Sequence, residues 1–311
     1  MSRRIVLVIT LVLLPLASRA VGQENKGEPT PKKIVTPYPI DHAKPLEAKE
    51  EIVGKEDDHT LFRVEFRGSK DDRVPANLFI PKRKNDAPPC PAVLLQFGSG
   101  GNRKVDYIVA IGKQFVARGF VVITIDSPGA GERRTKETKS EGPLGLISPQ
   151  TMFHYCSDYS RAVDYLVTRP EVDTERVGYV GISWGAITGI TYAAYDDRIK
   201  AVGSMVGGGN FVGLYNGKLA EKIAKEGSKS SDPVYHVARI SPRPLMFINV
   251  TKDEMILKSW AESLHKAAGP GAKVVWLDTN HTFSTVDRNK VCDSVIDFLE
   301  KEMPVKKVEK K

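Results

Sequence analysis

The segment Gly181-Ile182-Ser183-Trp184-Gly185 places a serine between two glycines, in the pattern G-x-S-x-G. An apolar run typical of a strand precedes this segment, and a run typical of a helix follows it. A sharp strand-to-helix turn exposes a serine hydroxyl, and glycines two positions away avoid clashes with the neighbouring strand and helix. This context predicts that Ser183 is a nucleophile.

A serine hydroxyl becomes reactive when a base takes its proton, and histidine is the usual base. Three histidines follow Ser183 in the chain: His236, His265 and His281. His281 directly follows a strand-like run and precedes the last helical pattern, which places it in a loop at the carboxyl end of a strand. His265 lies within a helical pattern and His236 in a long interruption between elements, so packing roles are favoured for both. The sequence predicts His281 as the base.

A third group, an acid, orients the histidine. The apolar run Leu245–Val250 ends shortly before Asp253 and Glu254, at the predicted carboxyl end of another strand. Asp253 is favoured because it comes first in that loop. Glu254 is a close alternative and Asp278 a more distant one.

Backbone N–H donors must stabilise the oxyanion that forms when an acyl group is attacked. The turn at the serine supplies the N–H of Trp184. The apolar run Ala92–Phe97 leads into a glycine-rich loop, where the backbone can approach a ligand closely. We predict the N–H of Ser99 as the second donor and that of Gly98 as the next choice. The alternative interpretation is a loop that only connects a strand to a helix.

The composition argues against several other classes of function. The formal net charge is +8, but Lys and Arg are scattered and form no basic stripe interleaved with aromatic residues. Neither a phosphate-binding loop nor an H-E-x-x-H zinc motif occurs. The three cysteines, Cys90, Cys156 and Cys292, have the spacing of neither a disulfide framework nor a metal site. We therefore expect no nucleic-acid partner, no metal and no cofactor.

Short apolar runs alternate with helical patterns over most of the chain. The β-like runs are Leu61–Phe66, Ala76–Ile80, Ala92–Phe97, Val121–Ile125, Val177–Ile182, Val202–Val206, Leu245–Val250 and Val274–Leu277. The helical patterns lie near Val105–Arg118, Met152–Leu166, Ala186–Tyr195, Leu257–Ala268 and Lys290–Glu300. This alternation predicts an α/β fold with a mostly parallel, doubly wound sheet, helices on both faces, and a crevice at the carboxyl ends of the strands.

The remaining segments predict the organisation of the chain. Arginines followed by an apolar run make residues 1–22 a secretory signal peptide of the Sec or twin-arginine type, hence a secreted or periplasmic protein without stable membrane insertion after cleavage. Residues 23–50 predict a linker or loosely held arm, residues 51–303 a catalytic domain and residues 304–311 a basic tail. Residues 207–241 interrupt the alternation and predict a small cap with a helix around Leu214–Ala224.

Several stretches between Thr60 and Met303 resemble the dienelactone hydrolase and acetyl xylan esterase branch of the α/β-hydrolases, in the same order. The segment DYSRAVDYLVTRPEVDTERVGYVGISWGA resembles the helix, strand and nucleophile turn of that branch. The segment VPANLFIPKRKNDAPPCPAVLLQFGSGGNRK resembles its entry strands and oxyanion loop. The next turn resembles that branch in DSPGAGER, and the acid and histidine segments in SPRPLMFINVTKDEMI and LDTNHTF. The resemblance implies the α/β-hydrolase fold, the triad Ser183, Asp253 and His281, and carboxylic esters as substrates without metal or cofactor.

The chain departs from that branch at two positions. Phe97 stands where a histidine usually precedes the glycine, and Ser183 stands where dienelactone hydrolases proper have a cysteine. The resemblance also implies that the helices bearing Cys156 and Cys292 lie on opposite faces of the sheet. We expect a secreted carboxylesterase acting on small-molecule or carbohydrate esters. The alternatives are a peptidase or thioesterase on the same scaffold, and a non-catalytic binding protein.

Overall fold

Nine strands pair into one sheet in the part of the chain that the computed structural model describes, which is residues 37–38, 40–84, 86–135, 149–210 and 231–305. The strands are β1 Lys49–Lys55, β2 His59–Arg67, β3 Arg73–Pro81, β4 Cys90–Gln96, β5 Val121–Ile125, β6 Val172–Ile182, β7 Ile199–Met205, β8 Leu245–Lys252 and β9 Lys273–Asn280. Their order across the sheet is β1-β2-β3-β5-β4-β6-β7-β8-β9.

Strands β5, β4, β6, β7, β8 and β9 are parallel to one another. The pairs β1–β2, β2–β3 and β3–β5 are antiparallel. Gly181 of β6 lies opposite Gln96 of β4 and Ser204 of β7, and Ile248 of β8 lies opposite Val275 of β9. Parallel strands end at a common edge, so the loops after β4, β6, β8 and β9 meet there.

The eight predicted runs all overlap strands β2 to β9, but the sequence patterns do not predict β1. Four of its seven residues are charged in the segment KEEIVGK, and all but one are exposed. An edge strand with exposed faces needs no apolar run. Just before it, the described end of the predicted arm packs against the core: Tyr38 is 1% exposed and its hydroxyl donates to the carbonyl of Tyr192 at 2.9 Å.

Helices cover both faces of the sheet. The α-helices of the described residues are α1 Asp106–Ala117, α2 Pro149–Leu166, α3 Trp184–Ala193, α4 Lys258–Ala268 and α5 Arg288–Glu302, each close to a predicted helical pattern. Helices α2, α3 and α4 contribute to one core cluster, and α1 and α5 to another. The predicted α/β fold is thereby confirmed. Cys156 and Cys292 lie in different clusters, and the three cysteines are free.

Four of the predicted segments fall wholly or partly outside the described residues. These are the signal peptide, the arm up to residue 36, the helix around Leu214–Ala224, and the basic tail after residue 305. The described parts of residues 207–241 include two short 3₁₀ turns, Pro233–Tyr235 and Val237–Ile240, which pack against α3 and α4. None of the described helices is both long enough and apolar enough to span a bilayer.

Candidate active site

Ser183 forms the turn between the end of β6 and the start of α3. Its backbone has φ 54° and ψ −114°, a conformation that residues other than glycine rarely adopt. The N–H of Ser183 donates to the carbonyl of Met205 at the end of β7, at 2.8 Å, which holds the turn against the neighbouring strand. Strain of this kind persists only when the surrounding structure fixes it, and it is typical of functional sites.

The two glycines of the turn are required by the space around them. A Cβ atom on Gly181 would overlap the carbonyl group of Gly185. A Cβ atom on Gly185 would lie 2.7 Å from the carbonyl oxygens of Gln96 and Phe97, which is closer than real contacts allow. The G-x-S-x-G pattern thus reflects the close packing of β6, α3 and the end of β4.

The structure brings Ser183, His281 and Asp253 together, although 98 positions separate the serine from the histidine. His281 Nε2 lies 3.0 Å from Ser183 Oγ, and His281 Nδ1 lies 2.9 Å from both carboxylate oxygens of Asp253. With the imidazole proton on Nδ1, the histidine donates to the carboxylate and accepts from the serine hydroxyl. Ser183 and His281 are each 8% exposed, so the arrangement lies at the bottom of a crevice.

The carboxylate of Asp253 is held in place by the loop that follows β8. Its Oδ1 also accepts the backbone N–H groups of Met255 and Ile256, at 2.9 and 2.8 Å. Burial alone would raise the pKa of Asp253, but the hydrogen bonds from the imidazole and from the two N–H groups lower it below its ordinary value. The group therefore stays ionised at neutral pH and can stabilise a protonated imidazole.

The two alternative acids lie elsewhere. Glu254 accepts the backbone N–H of His281 through Oε2 at 3.2 Å, so it contacts the histidine loop but not the ring. Asp278 is 73% exposed and pairs with Lys252 Nζ at 2.9 Å, and it accepts from Thr251 Oγ1 at 2.7 Å. Of the three carboxylates, only Asp253 bonds to the imidazole.

The two other histidines after the serine have packing positions. His236 is buried and its Nδ1 lies 2.9 Å from the hydroxyl of Tyr195. His265 on α4 packs against Phe247, with ring centroids 4.6 Å apart, and its Nε2 lies 2.9 Å from the side-chain oxygen of Asn249. Burial lowers the pKa of His265 to about 4, although nearby Glu262 opposes the shift, so this ring is neutral at pH 7.

The predicted oxyanion loop lies directly against the nucleophile. A Cβ atom on Gly98 would be 3.1 Å from Ser183 Cβ. The N–H of Gly98 donates to the hydroxyl of Tyr107 at 2.9 Å, whereas the N–H of Ser99 has no protein acceptor among the described residues. Trp184 is the first residue of α3, and N–H groups at the start of a helix have no acceptor within the helix and can bind an anion. This favours Ser99 over Gly98 as the partner of Trp184.

Two cavities meet at Gly98 and Ser99. The first, of about 970 Å³, contains Ser183 and His281, and its wall is largely apolar. Apolar and aromatic wall residues include Val105, Tyr107, Ile111, Met205, Met255 and Phe283. The second, of about 730 Å³, is lined by Trp184 and by the cationic residues Lys70, Arg133 and Arg134. The sequence patterns do not single out Tyr107, because nothing but the packing of α1 brings it to the loop.

One cluster of metal-ligand types occurs among the described residues. The ligand atoms of Asp72, His154 and Asp158 lie within 4.8 Å of one another. The guanidinium of Arg133 lies 2.6 Å from Asp72 and 2.8 Å from Asp158. This cation already pairs with both carboxylates, so the cluster has the arrangement of an ion-pair network.

Comparisons of the sequence agree with this geometry. The model of the dienelactone hydrolase family matches residues 74–300. The chain is 31% identical over 141 residues to YtaP of Bacillus subtilis (strain 168), covering 42% of this chain and 46% of that protein. It is 28% identical over 145 residues to YcjY of Escherichia coli (strain K12), covering 46% of this chain and 44% of that one. The chain thus matches less than half the length of these relatives.

Solved structures show the same fold. The acetyl xylan esterase from Paenibacillus sp. R4 is 18% identical, with a TM-score of 0.70 over 84% of this chain and 90% of that chain. A cold-adapted esterase from an Arctic intertidal metagenomic library is 20% identical, with a TM-score of 0.64 over 84% of this chain and 100% of that one. The fold, together with the match over residues 74–300, confirms the resemblance in the sequence: the chain is an α/β-hydrolase that belongs to the dienelactone hydrolase family.

Proposed function

We propose that the protein is a serine esterase that hydrolyses carboxylic esters through an acyl-enzyme. The observation that carries the proposal is the continuous set of hydrogen bonds from Ser183 through His281 to Asp253. Family membership and the esterases among the structural neighbours support the ester as the bond that is cleaved.

The geometry supports two chemical steps. Ser183 Oγ attacks the ester carbonyl while His281 Nε2 takes the hydroxyl proton, and the N–H groups of Ser99 and Trp184 stabilise the oxyanion. The intermediate then loses the alcohol, which receives the proton from His281, and the acyl group remains on Ser183. Water then attacks the acyl carbon while His281 takes its proton. The acyl–serine bond breaks, Ser183 receives the proton from His281, and the carboxylic acid leaves.

The export of the enzyme and its substrate class are parts of the same proposal. The signal-peptide pattern of residues 1–22 supports an exported enzyme, and an exported esterase encounters acylated polysaccharides as well as small esters. Two of the structural neighbours are named acetyl xylan esterases, which makes acetylated carbohydrates the first class to test. A peptide anilide and an acyl thioester, assayed beside the ester, distinguish this proposal from a peptidase or a thioesterase.

Ser183→Ala tests the nucleophile. The variant is expected to lose about 10⁴-fold or more in kcat towards p-nitrophenyl acetate, because removal of a serine nucleophile has effects of this size. Covalent labelling by a fluorophosphonate should disappear with it. Ser259→Ala, at an exposed serine on α4, is the matched control and should keep both labelling and turnover. A Ser183→Ala variant that still reacts with the probe would exclude this serine as the nucleophile.

A further inference from the structure

The hydroxyl of Tyr107 lies close to the nucleophile. Tyr107 is the second residue of α1, and its Oη accepts the N–H of Gly98 at 2.9 Å. A Cβ atom on Gly98 would lie 3.1 Å from Ser183 Cβ and 3.5 Å from Ser183 Oγ. Gly98 therefore adjoins both the tyrosine hydroxyl and the reacting serine.

The O–H of Tyr107 is available as a donor in the cavity. A backbone N–H can only donate, so the tyrosine oxygen is the acceptor in the bond to Gly98, and its own proton remains for another group. No acceptor for that proton occurs among the described residues. Tyr107 is 40% exposed, and the partial burial of its ring raises the pKa of the hydroxyl. The Gly98 N–H partly offsets this effect, and the hydroxyl keeps its proton at neutral pH.

The same cavity is where the alcohol of an ester would leave. His281 and Tyr107 both line it, one after the end of β9 and the other at the start of α1. When the bond between the acyl carbon and the leaving oxygen breaks, negative charge develops on that oxygen until it receives the proton from His281. A second donor on the opposite element would stabilise this charge, and more so for an alkoxide than for an acidic phenoxide.

We propose that the O–H of Tyr107 donates a hydrogen bond to the leaving oxygen of the ester during acylation. This rests on the proposed esterase function and adds a side-chain donor to the triad and the two oxyanion N–H groups. Tyr107 does not lose its proton: the proton that the alcohol receives is the one His281 took from Ser183. The effect belongs to acylation, because the alcohol has left before water attacks the acyl-enzyme.

Tyr107→Phe tests this role with three acetates that differ in the leaving alcohol: p-nitrophenyl, phenyl and ethyl acetate. The quantity measured is kcat/KM, which reports on the steps through acylation. The variant is expected to lose about 10- to 100-fold with ethyl acetate and less than about 3-fold with p-nitrophenyl acetate, since a good leaving group needs little assistance. Tyr235→Phe, at a tyrosine that is 51% exposed, is the matched control and should change none of the three values.

Other outcomes would overturn the proposal. An equal loss with all three acetates would assign the hydroxyl to the oxyanion or to the support of the Gly98 loop, and unchanged rates would show that it has no role in acylation. In both cases the wild-type enzyme is active and the esterase function stands. A wild-type protein that hydrolyses none of the acetates and does not react with a fluorophosphonate would refute the esterase function and this proposal with it.

Discussion

Asp253→Asn removes the charge of the predicted acid and keeps its shape. In the structure, Oδ1 accepts the N–H groups of Met255 and Ile256 at 2.9 and 2.8 Å. Both oxygens lie 2.9 Å from His281 Nδ1, and this is the contact found for Oδ2 among the described residues. Of the two polar groups of an asparagine side chain, only the oxygen can accept these two backbone N–H groups. The asparagine oxygen must therefore take the place of Oδ1, and its NH₂ group must face His281 Nδ1.

That orientation reverses the hydrogen bonds of the imidazole. An NH₂ group facing Nδ1 requires Nδ1 to accept, so the ring proton moves to Nε2. Nε2 then donates towards Ser183 Oγ, 3.0 Å away, instead of accepting the hydroxyl proton. The same tautomer defect costs about 10⁴-fold in kcat in a well-studied serine protease, so we expect a loss of about 10³- to 10⁴-fold here, or about 4 to 5.5 kcal/mol.

The assay is kcat with p-nitrophenyl acetate, compared across three variants. Glu254→Gln keeps a side-chain oxygen for the N–H of His281, and Asp278→Asn breaks only an exposed contact with Lys252, so each should lose less than about 10-fold. Thermal unfolding should show that Asp253→Asn is folded. Activity of Asp253→Asn within about 10-fold of wild type, or inactivity of Asp278→Asn, would refute the assignment of Asp253 as the acid.

Two further predictions concern pH. The rate with p-nitrophenyl acetate should fall on acidification, because a protonated His281 cannot accept the hydroxyl proton of Ser183; a rate that does not change on acidification would argue against a histidine base. His265 should make folding sensitive to acid: its pKa is about 4 in the folded protein and about 6.5 in an unfolded chain. The folded state then binds fewer protons between these values, so the stability it contributes is complete above about pH 6.5 and is lost as the pH falls towards 4. Allowing for partial solvent exposure, we expect about 1 kcal/mol less stability at pH 5 than at pH 7 from this group, and a smaller loss in His265→Gln, measured by urea unfolding; an equal loss in both proteins would contradict the assignment.

Much of the framework was predictable because it is encoded locally. Strands β4 to β8 are buried on both faces over most of their length, apart from the polar start of β6, so they contain continuous apolar runs. Helix α2 shows a single apolar face at helical spacing. Strand β1 has exposed faces and charged residues, and this is why no pattern predicts it. The short interval between the buried Tyr38 and β1 shows neither helical nor strand spacing, although its residues Ile40 and Leu46 pack against the core, so its attachment is decided by tertiary contacts.

The triad could be predicted for a reason that does not extend to the rest of the site. The residues that follow parallel strands lie at one edge of the sheet. Because Ser183, Asp253 and His281 follow β6, β8 and β9, they can be predicted to lie near each other. The groups that surround the reacting ester come instead from side chains whose direction depends on how a helix packs. Tyr107 reaches Gly98 because of where α1 lies on the sheet, and no spacing in the sequence specifies that contact. The meeting of Ser183, His281 and Asp253 can therefore be predicted from the sequence, whereas side-chain contacts such as that of Tyr107 with Gly98 become visible only in the folded chain.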